Sequence, residues 1–214
     1  MLSSAVGGQS FADAWQQDTH ITGAGGPANG FDDTNTDNPS LFTFDNSVDP
    51  QTGGAGWQAV TSTSTNIVAG KPYRLFVRGD RSIDLTDNAD APTVTTLSAK
   101  GTMHIGSFSP TLATVANNYS FVGNPYQAVV DINATTRTNL TDFIYVWDAS
   151  ISGGSGNGGF VTVPIPGSAS PNPYSSDATQ YVAPGQAFFV QNTATGSGAI
   201  TFEEADKETA QTQQ

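Results

Sequence analysis

The 214-residue chain is acidic, with seven Lys and Arg residues against nineteen Asp and Glu residues and a formal net charge of -12. Sixteen of the acids are Asp, and no basic residue precedes Lys71. This balance argues against nucleic acid or an anionic membrane as a partner, because both require counter-charge. The absence of cysteine excludes a disulfide framework and thiolate metal sites.

The composition is typical of an all-β protein. Gly (23 residues) and Pro (12 residues) are frequent and accompany many Thr, Ser and Asn residues, which suits short strands joined by turns. No apolar run is long enough to insert into a membrane, and no signal-peptide pattern opens the chain. The start at Met-Leu-Ser-Ser leads us to expect a natural chain that extends further at both ends. We predict one jelly-roll-like β-sandwich over residues 1–202, with roughly ten to twelve short strands and one short N-terminal helix.

The helix is predicted at residues 11–17. Ser10 is a good N-cap, and Asp13 follows at a position where a negative charge suits the helix start. Phe11, Ala14 and Trp15 share one face of such a helix, so this face is expected to lie against the core.

Strands are predicted wherever apolar residues alternate or cluster between turn signals. In residues 73–78, Tyr73, Leu75 and Val77 alternate with an Arg-Phe-Arg set and are expected to face the core. Residues 93–100 and 102–108 flank Gly101 and indicate a hairpin or a bulged bend. The further predicted strands cover residues 2–6, 41–45, 57–61, 160–165, 186–191 and 199–202.

Residues 119–148 are the most apolar part of the chain and hold two strand candidates, 119–122 and 143–147. In the second, Phe143, Tyr145 and Trp147 alternate with Ile144 and Val146, so both faces of the strand are apolar. This pattern predicts a strand that is covered on both sides. After the last strand, residues 203–214 are polar and are expected to form a fraying tail.

Six stretches, in order along the chain, are similar to a recurrent β-domain of Bacteroidota cell-surface proteins. They are residues 2–15 (LSSAVGGQSFADAW), 70–81 (GKPYRLFVRGDR), 121–126 (FVGNPY), 144–148 (IYVWD), 182–190 (VAPGQAFFV) and 201–207 (TFEEADK). That domain precedes the C-terminal sorting signal read by the type IX secretion system. The resemblance implies an exported, extracellular or cell-surface module of a long adhesin-like protein. It supplies no catalytic residues, and residues 203–214 are expected to lead toward the sorting domain, which is not among these 214 residues.

A calcium site is one interpretation of Asp33, Asn35 and Asp37. Their alternate spacing matches the first half of an oxygen-ligand calcium loop, and Asn38 tolerates the left-handed backbone needed next. Phe44 stands where the bidentate Glu of an EF-hand belongs, so the second half of the motif fails. The alternative, which we favour, is that Asp and Asn cap turns through their own backbone bonds, as the similar spacings starting at Asp45 and Asp80 also indicate.

Two further motifs have competing interpretations. The tripeptide of Arg78, Gly79 and Asp80 is of the integrin-binding type, but turn chemistry explains it more simply. Tyr126, in the turn-rich segment after Gly123, is a candidate sugar-stacking residue together with the tryptophans, although aromatic residues of this kind usually belong to the core.

Catalysis has little support in the sequence. The chain has two histidines, His20 and His104, and no nucleophile elbow, zinc-protease motif or phosphate loop. We therefore predict a non-enzymatic structural or adhesive module of an exported bacterial surface protein. Its expected partners are other domains of that protein and the secretion machinery. The alternatives are a carbohydrate-binding module with glycan partners, and a subunit of an extracellular filament assembled by strand exchange.

Overall fold

The computed structural model describes residues 1–48, 56–151, 158–167, 176–193 and 197–208. These residues form short antiparallel strands with very little helix, which confirms the predicted all-β class. The thirteen strands in the described part of the chain are Val6–Gly7 (β1), Leu41–Phe44 (β2), Trp57–Ala59 (β3), Arg74–Leu75 (β4), Thr102–Met103 (β5), Tyr119–Gly123 (β6), Val130–Asp131 (β7), Thr136–Thr138 (β8), Phe143–Asp148 (β9), Gly159–Pro164 (β10), Tyr181–Val182 (β11), Ala187–Gln191 (β12) and Ala199–Thr201 (β13).

The largest sheet has four antiparallel strands in the order β10-β9-β12-β6. Its strands come from the most apolar runs of the chain, as the sequence predicts. One face of the sheet carries Ile144, Val146, Val163, Phe188 and Val190, which are all buried. These residues belong to the main hydrophobic core, so burial of this face holds the sheet in place.

A second hydrophobic cluster forms around the N-terminal segment. Phe11, Trp15 and Tyr73 meet there with ring centroids 5.3 to 5.4 Å apart, next to the three-stranded sheet β3-β2-β4. The chain start connects this cluster to the four-stranded sheet, because Leu2 bridges both Tyr73 and Gln186.

The N-terminal helix is shorter than predicted. The α-helix (α1) covers only Trp15–Asp18, and residues 11–14 form turns. Ser10 caps this turn as expected, because its Oγ accepts a hydrogen bond from the Asp13 N–H at 3.1 Å. Ala14, at φ -113° and ψ -107°, is not helical, so the turn and α1 do not merge.

The predicted strand at residues 73–78 is also shorter, since only Arg74–Leu75 (β4) pairs in a ladder with β2. The last backbone hydrogen bond between the two segments runs from the Phe76 N–H to the carbonyl of Ser40, the residue just before β2 begins. Val77 is therefore exposed, although the alternation placed it toward the core.

The expected hairpin around Gly101 does not form. Residues 91–100 are not assigned to any strand, and β5 pairs with β1. A side chain at position 101 would have its Cβ 2.1 Å from the carbonyl oxygen of Gly7. Glycine at this position lets the two backbones approach closely.

Residues 203–208 are folded, although the sequence predicts that they belong to a fraying tail. Residues Glu204–Asp206 form a 3-10 helix whose ends are tied by reciprocal bonds between Glu203 and Asp206. Lys207 bridges Val130, so residues 203–208 are part of the folded body. The rest of the predicted tail, residues 209–214, lies outside the described residues.

Candidate functional site

The aspartates that repeat at alternate positions form turns. The Asp45 carboxylate accepts hydrogen bonds from both the N–H and the hydroxyl of Ser47, at 2.9 and 2.6 Å. The Asp80 carboxylate accepts the same pair of bonds from Ser82. These bonds lower the pKa of both carboxyl groups from its usual value, with the serine hydroxyl as the main cause. The turn interpretation is confirmed for these two motifs.

The three residues of the predicted calcium site lie on an exposed loop. Asp33 and Asn35 are exposed, and Asp37 is half-buried with a left-handed backbone at φ 50°. The Asp37 N–H donates to Thr34 Oγ1 at 3.0 Å. Among the described residues, no group of three or more His, Asp or Glu side chains is placed to hold a metal ion. Calcium binding by Asp33, Asn35 and Asp37 stays a prediction.

The integrin-type tripeptide is part of a folded turn. Arg78 donates to the carbonyls of Asp87 and Asp90, at 2.8 and 2.5 Å. The buried Gly79 accepts a bond from the Thr19 hydroxyl at 2.6 Å. Together with the bonds of the Asp80 carboxylate to Ser82, all three residues of the motif are therefore engaged in hydrogen bonds within the chain.

Tyr126, the candidate ligand-stacking residue, is fully buried, with 0% of its surface exposed. Its hydroxyl donates to the carbonyls of Gly106 and Phe202, at 2.7 and 3.1 Å, and the Lys207 ammonium lies 4.3 Å from its ring centroid. Burial, together with the nearby acids led by Glu204, raises the pKa of Tyr126 to about 12. This corrects the assignment of Tyr126, which supports the core and presents no face to a ligand.

The two histidines have structural contacts. His20 Nδ1 lies 3.5 Å from the carboxylate of Asp32, which also forms an ion pair with Arg81 at 2.7 Å. The His104 ring packs against Phe108 and Tyr126, with centroids 5.2 and 5.9 Å apart. Within the described residues, neither imidazole makes a hydrogen bond with a serine or threonine hydroxyl.

The most unusual surface of the protein lies on the outer side of the four-stranded sheet. The sequence predicts that both sides of β9 are covered, but Trp147 is 37% exposed and its neighbour on β10, Phe160, is 51% exposed. The prediction was wrong for this side. We call it the aromatic face, and it comprises Tyr119, Phe143, Tyr145, Trp147, Phe160 and Phe189.

Strand register explains why these rings share one side. Phe160 lies directly opposite Trp147, and Phe189 lies opposite Tyr145. Residues opposite each other in adjacent strands project to the same side of a sheet. Trp147 and Phe160 meet edge to face, with centroids 5.2 Å apart, in a geometry that aromatic pairs favour.

Part of the outer side is covered by the smaller three-stranded sheet. Phe44 and Trp57 pack edge to face on Phe189 and Phe121, with centroids 5.0 to 6.3 Å apart across this group. Among the described residues, this cover ends at Phe44. Beyond it lies an apolar cleft of about 340 Å³, lined by Phe44, Tyr119, Tyr145, Phe160 and Phe189.

Polar groups stand at the margin of this cleft. The Tyr145 hydroxyl bonds to Gln191 Oε1 at 3.1 Å, and burial raises the pKa of Tyr145, so this phenol is neutral at physiological pH. Next to the covered part, the Arg74 guanidinium lies 4.1 Å from the Trp57 ring centroid and 4.5 Å from that of Phe42. A mostly apolar concave surface with a few fixed polar groups is the usual form of a ligand or partner site.

The sequence analysis missed this surface because the exposure of Trp147 and Phe160 depends on how far the smaller sheet extends. The feature of the sequence that points to this surface is the alternation of aromatic residues in β9, together with the single aromatic residue of β10. That signal places the rings on one side of a strand, but it does not say whether this side is covered.

Comparisons with known protein families, curated proteins and solved structures find no match to this chain. In the described residues, no helix is long and apolar enough to cross a membrane.

Proposed function

We propose that this chain is a non-catalytic adhesive module of an exported bacterial surface protein, and that the aromatic face is its contact surface. The observation that carries the proposal is the outer side of the four-stranded sheet, where Trp147, Phe143 and Phe160 are 37%, 41% and 51% exposed. Soluble proteins rarely expose a contiguous group of large apolar rings unless the surface binds something.

The acidic composition supports the same proposal. A net charge of -12 disfavours anionic lipid and nucleic acid as targets. A partner of this surface is therefore recognised through apolar contact and a small number of hydrogen bonds. The location outside the cell and the neighbouring type IX sorting signal follow from the six stretches that resemble the Bacteroidota surface domain.

The direct test measures binding of the purified chain to immobilised fibronectin, collagen and mucin by surface plasmon resonance. Trp147→Ala combined with Phe160→Ala removes the two exposed rings that face each other. We expect at least a tenfold loss of affinity, because aromatic anchors carry much of the binding free energy in interfaces. Val68→Ala is the matched control, since Val68 is an exposed apolar residue outside the aromatic face.

Binding that survives removal of both rings would refute the assignment of the contact surface. Antibody labelling of intact cells of the source organism tests export separately. Labelling only after the cells are lysed would contradict the extracellular location.

A second candidate function is carbohydrate binding, which the same rings favour. Exposed aromatic rings next to hydroxyl and amide groups suit the stacking and hydrogen bonding of sugar rings. A glycan array distinguishes the two candidates, because it contains no protein ligand. Glycan binding that depends on Trp147 and Phe160, but not on Val68, would identify the target as a sugar.

A further inference from the structure

A second surface, separate from the aromatic face, has the properties of an open sheet edge. Residues 93–99 run directly into β5, and their side chains alternate between half-buried and exposed from Val94 to Lys100. The sequence predicts a strand here. The structure shows the alternation of a strand without a backbone ladder.

One edge of this segment is anchored by the body of the protein. The N–H groups of Ser98 and Lys100 donate to the side chains of Asp18 and Gln9, each at 2.6 Å. Further along, the N–H of His104 donates to the Ala5 carbonyl at 2.8 Å. These bonds point to one side, toward α1 and β1.

The opposite edge is open. In an extended chain, successive N–H groups point in opposite directions, so those of Thr95, Leu97 and Ala99 point away from α1. Within the part of the chain that the structure describes, these three N–H groups have no hydrogen-bond acceptor. An unpaired edge of this kind is a template for another strand.

The side chains along this edge strengthen the inference. Val94, within this segment, is 92% exposed, the highest value among the large apolar residues of the described chain. Natural edge strands are commonly protected by charges, yet Lys100 is the only charged residue between Asp90 and Asp131. In a chain with nineteen acids, this stretch is free of acidic residues.

We propose that residues 93–99 pair in antiparallel fashion with the same residues of a second copy of this chain. Antiparallel pairing of two identical segments creates a two-fold symmetric interface, the commonest form of homodimer. The odd-numbered residues of each copy exchange backbone hydrogen bonds with those of the other. Residues 93–99 carry no charged side chain, and the Asp18 carboxylate beside Ser98 lies on the anchored side, so the pairing of the two segments brings no like-charged side chains of these residues together.

The experiment is sedimentation velocity of the full chain over a wide range of protein concentration, at low and at high NaCl. We expect a monomer–dimer equilibrium that shifts toward the dimer as salt screens the net negative charge of the two copies. Ala99→Pro removes one outward N–H that has no partner within the described chain, so it should prevent dimerisation while the circular dichroism spectrum remains that of the folded chain.

Thr96→Lys is a second variant that leaves the backbone intact. It places like charges side by side in the paired edges, so dimerisation should weaken at least tenfold at low salt. Thr61→Lys is the matched control, because Thr61 is exposed on another segment and makes no hydrogen bond through its side chain within the described residues. The control should dimerise like the unaltered chain.

Three results would overturn the proposal. They are a chain that stays monomeric at every concentration and salt level, an Ala99→Pro variant that dimerises normally, and equal effects of the two lysine variants. The adhesive function is tested by Trp147 and Phe160, which this experiment leaves in place, so the two proposals fail independently.

Discussion

At the scale of single residues, Asn124 and Tyr126 fix the centre of the protein. The Asn124 side-chain amide donates to the carbonyls of Ala128, Val182 and Ala183 at 2.9 to 3.1 Å, and its Oδ1 accepts the Tyr126 N–H at 2.9 Å. Three carbonyl groups are thus satisfied by one buried side chain, in a place where an unpaired polar group is costly.

Tyr126 gives a prediction for the pH dependence of stability. The pKa of its phenol is raised from 10.0 to about 12 in the folded chain, so the unfolded state releases the proton first as the pH rises. The stabilising contribution is therefore complete below pH 10 and is lost as the pH approaches 12. Tyr126→Phe removes this contribution and should flatten the fall in the free energy of unfolding above pH 10.

The measurement is urea denaturation of both proteins from pH 7 to pH 11. At pH 7 the variant should lose about 1–2 kcal/mol, because it lacks the hydroxyl that satisfies two carbonyl groups. Curves that stay parallel above pH 10 would show that Tyr126 is not the group responsible. Tyr73 and Tyr145, whose pKa values are also raised, would then have to account for the slope.

The sequence could not have predicted the burial of Tyr126. Its neighbours Gly123, Asn124 and Pro125 are turn residues, and turns usually lie at the surface. Two of its contacts, the Phe202 carbonyl that accepts a bond from its hydroxyl and the Lys207 ammonium over its ring, come from more than seventy residues away. A local pattern carries no information about such distant contacts.

At the scale of elements, the apolar pattern predicts strands well where the partner strand is long. Strands β6, β9 and β12 are all paired over most of their length with at least one neighbour, and the sequence predicts each of them. The predictions fail at residues 73–78 and 93–100, where the chain has the side-chain pattern of a strand but little or no ladder. The pattern determines which residues share a side of a strand, whereas the burial of that side and the length of the strand depend on the elements packed against it.

The two edge strands of the four-stranded sheet, β6 and β10, differ in how their outer backbone groups are protected. At β6, the Asn46 side chain acts as a substitute neighbour: its Oδ1 accepts the Phe121 N–H at 2.8 Å and its Nδ2 donates to the Phe121 carbonyl at 3.3 Å. The other edge, β10, ends at Pro164, which has no N–H to offer.

Asn46→Ala should therefore weaken the β6 edge. We expect a loss of about 1–2 kcal/mol in the free energy of unfolding, since the Phe121 N–H and carbonyl lose their partners. Hydrogen exchange at the Phe121 amide should become faster. In Asn46→Asp the carboxylate still accepts the Phe121 N–H, so the amide should stay protected. Equal exchange rates in all three proteins would contradict the capping role.

At the scale of the whole molecule, the fold contains two large hydrophobic clusters that are connected by the start of the chain. The first lies under the four-stranded sheet and includes Phe188, and the second surrounds Phe11. Leu2 packs on the second cluster, and the adjacent Ser3 hydroxyl bonds to the carbonyls of Asn124 and Gln186, beside the four-stranded sheet, at 2.9 and 3.1 Å. The composition predicts one structural unit over residues 1–202, and cooperativity of unfolding tests this prediction.

If the two clusters belong to one cooperative unit, removing a ring from either should destabilise the whole. Phe11→Ala and Phe188→Ala both remove a side chain that is fully buried, and each should cost about 3–5 kcal/mol. Differential scanning calorimetry should show a single transition that moves to lower temperature in both variants. Two transitions, of which each variant shifts only one, would mean that the N-terminal cluster and the four-stranded sheet unfold separately, and that the bonds of Ser3 connect two units without making them cooperative.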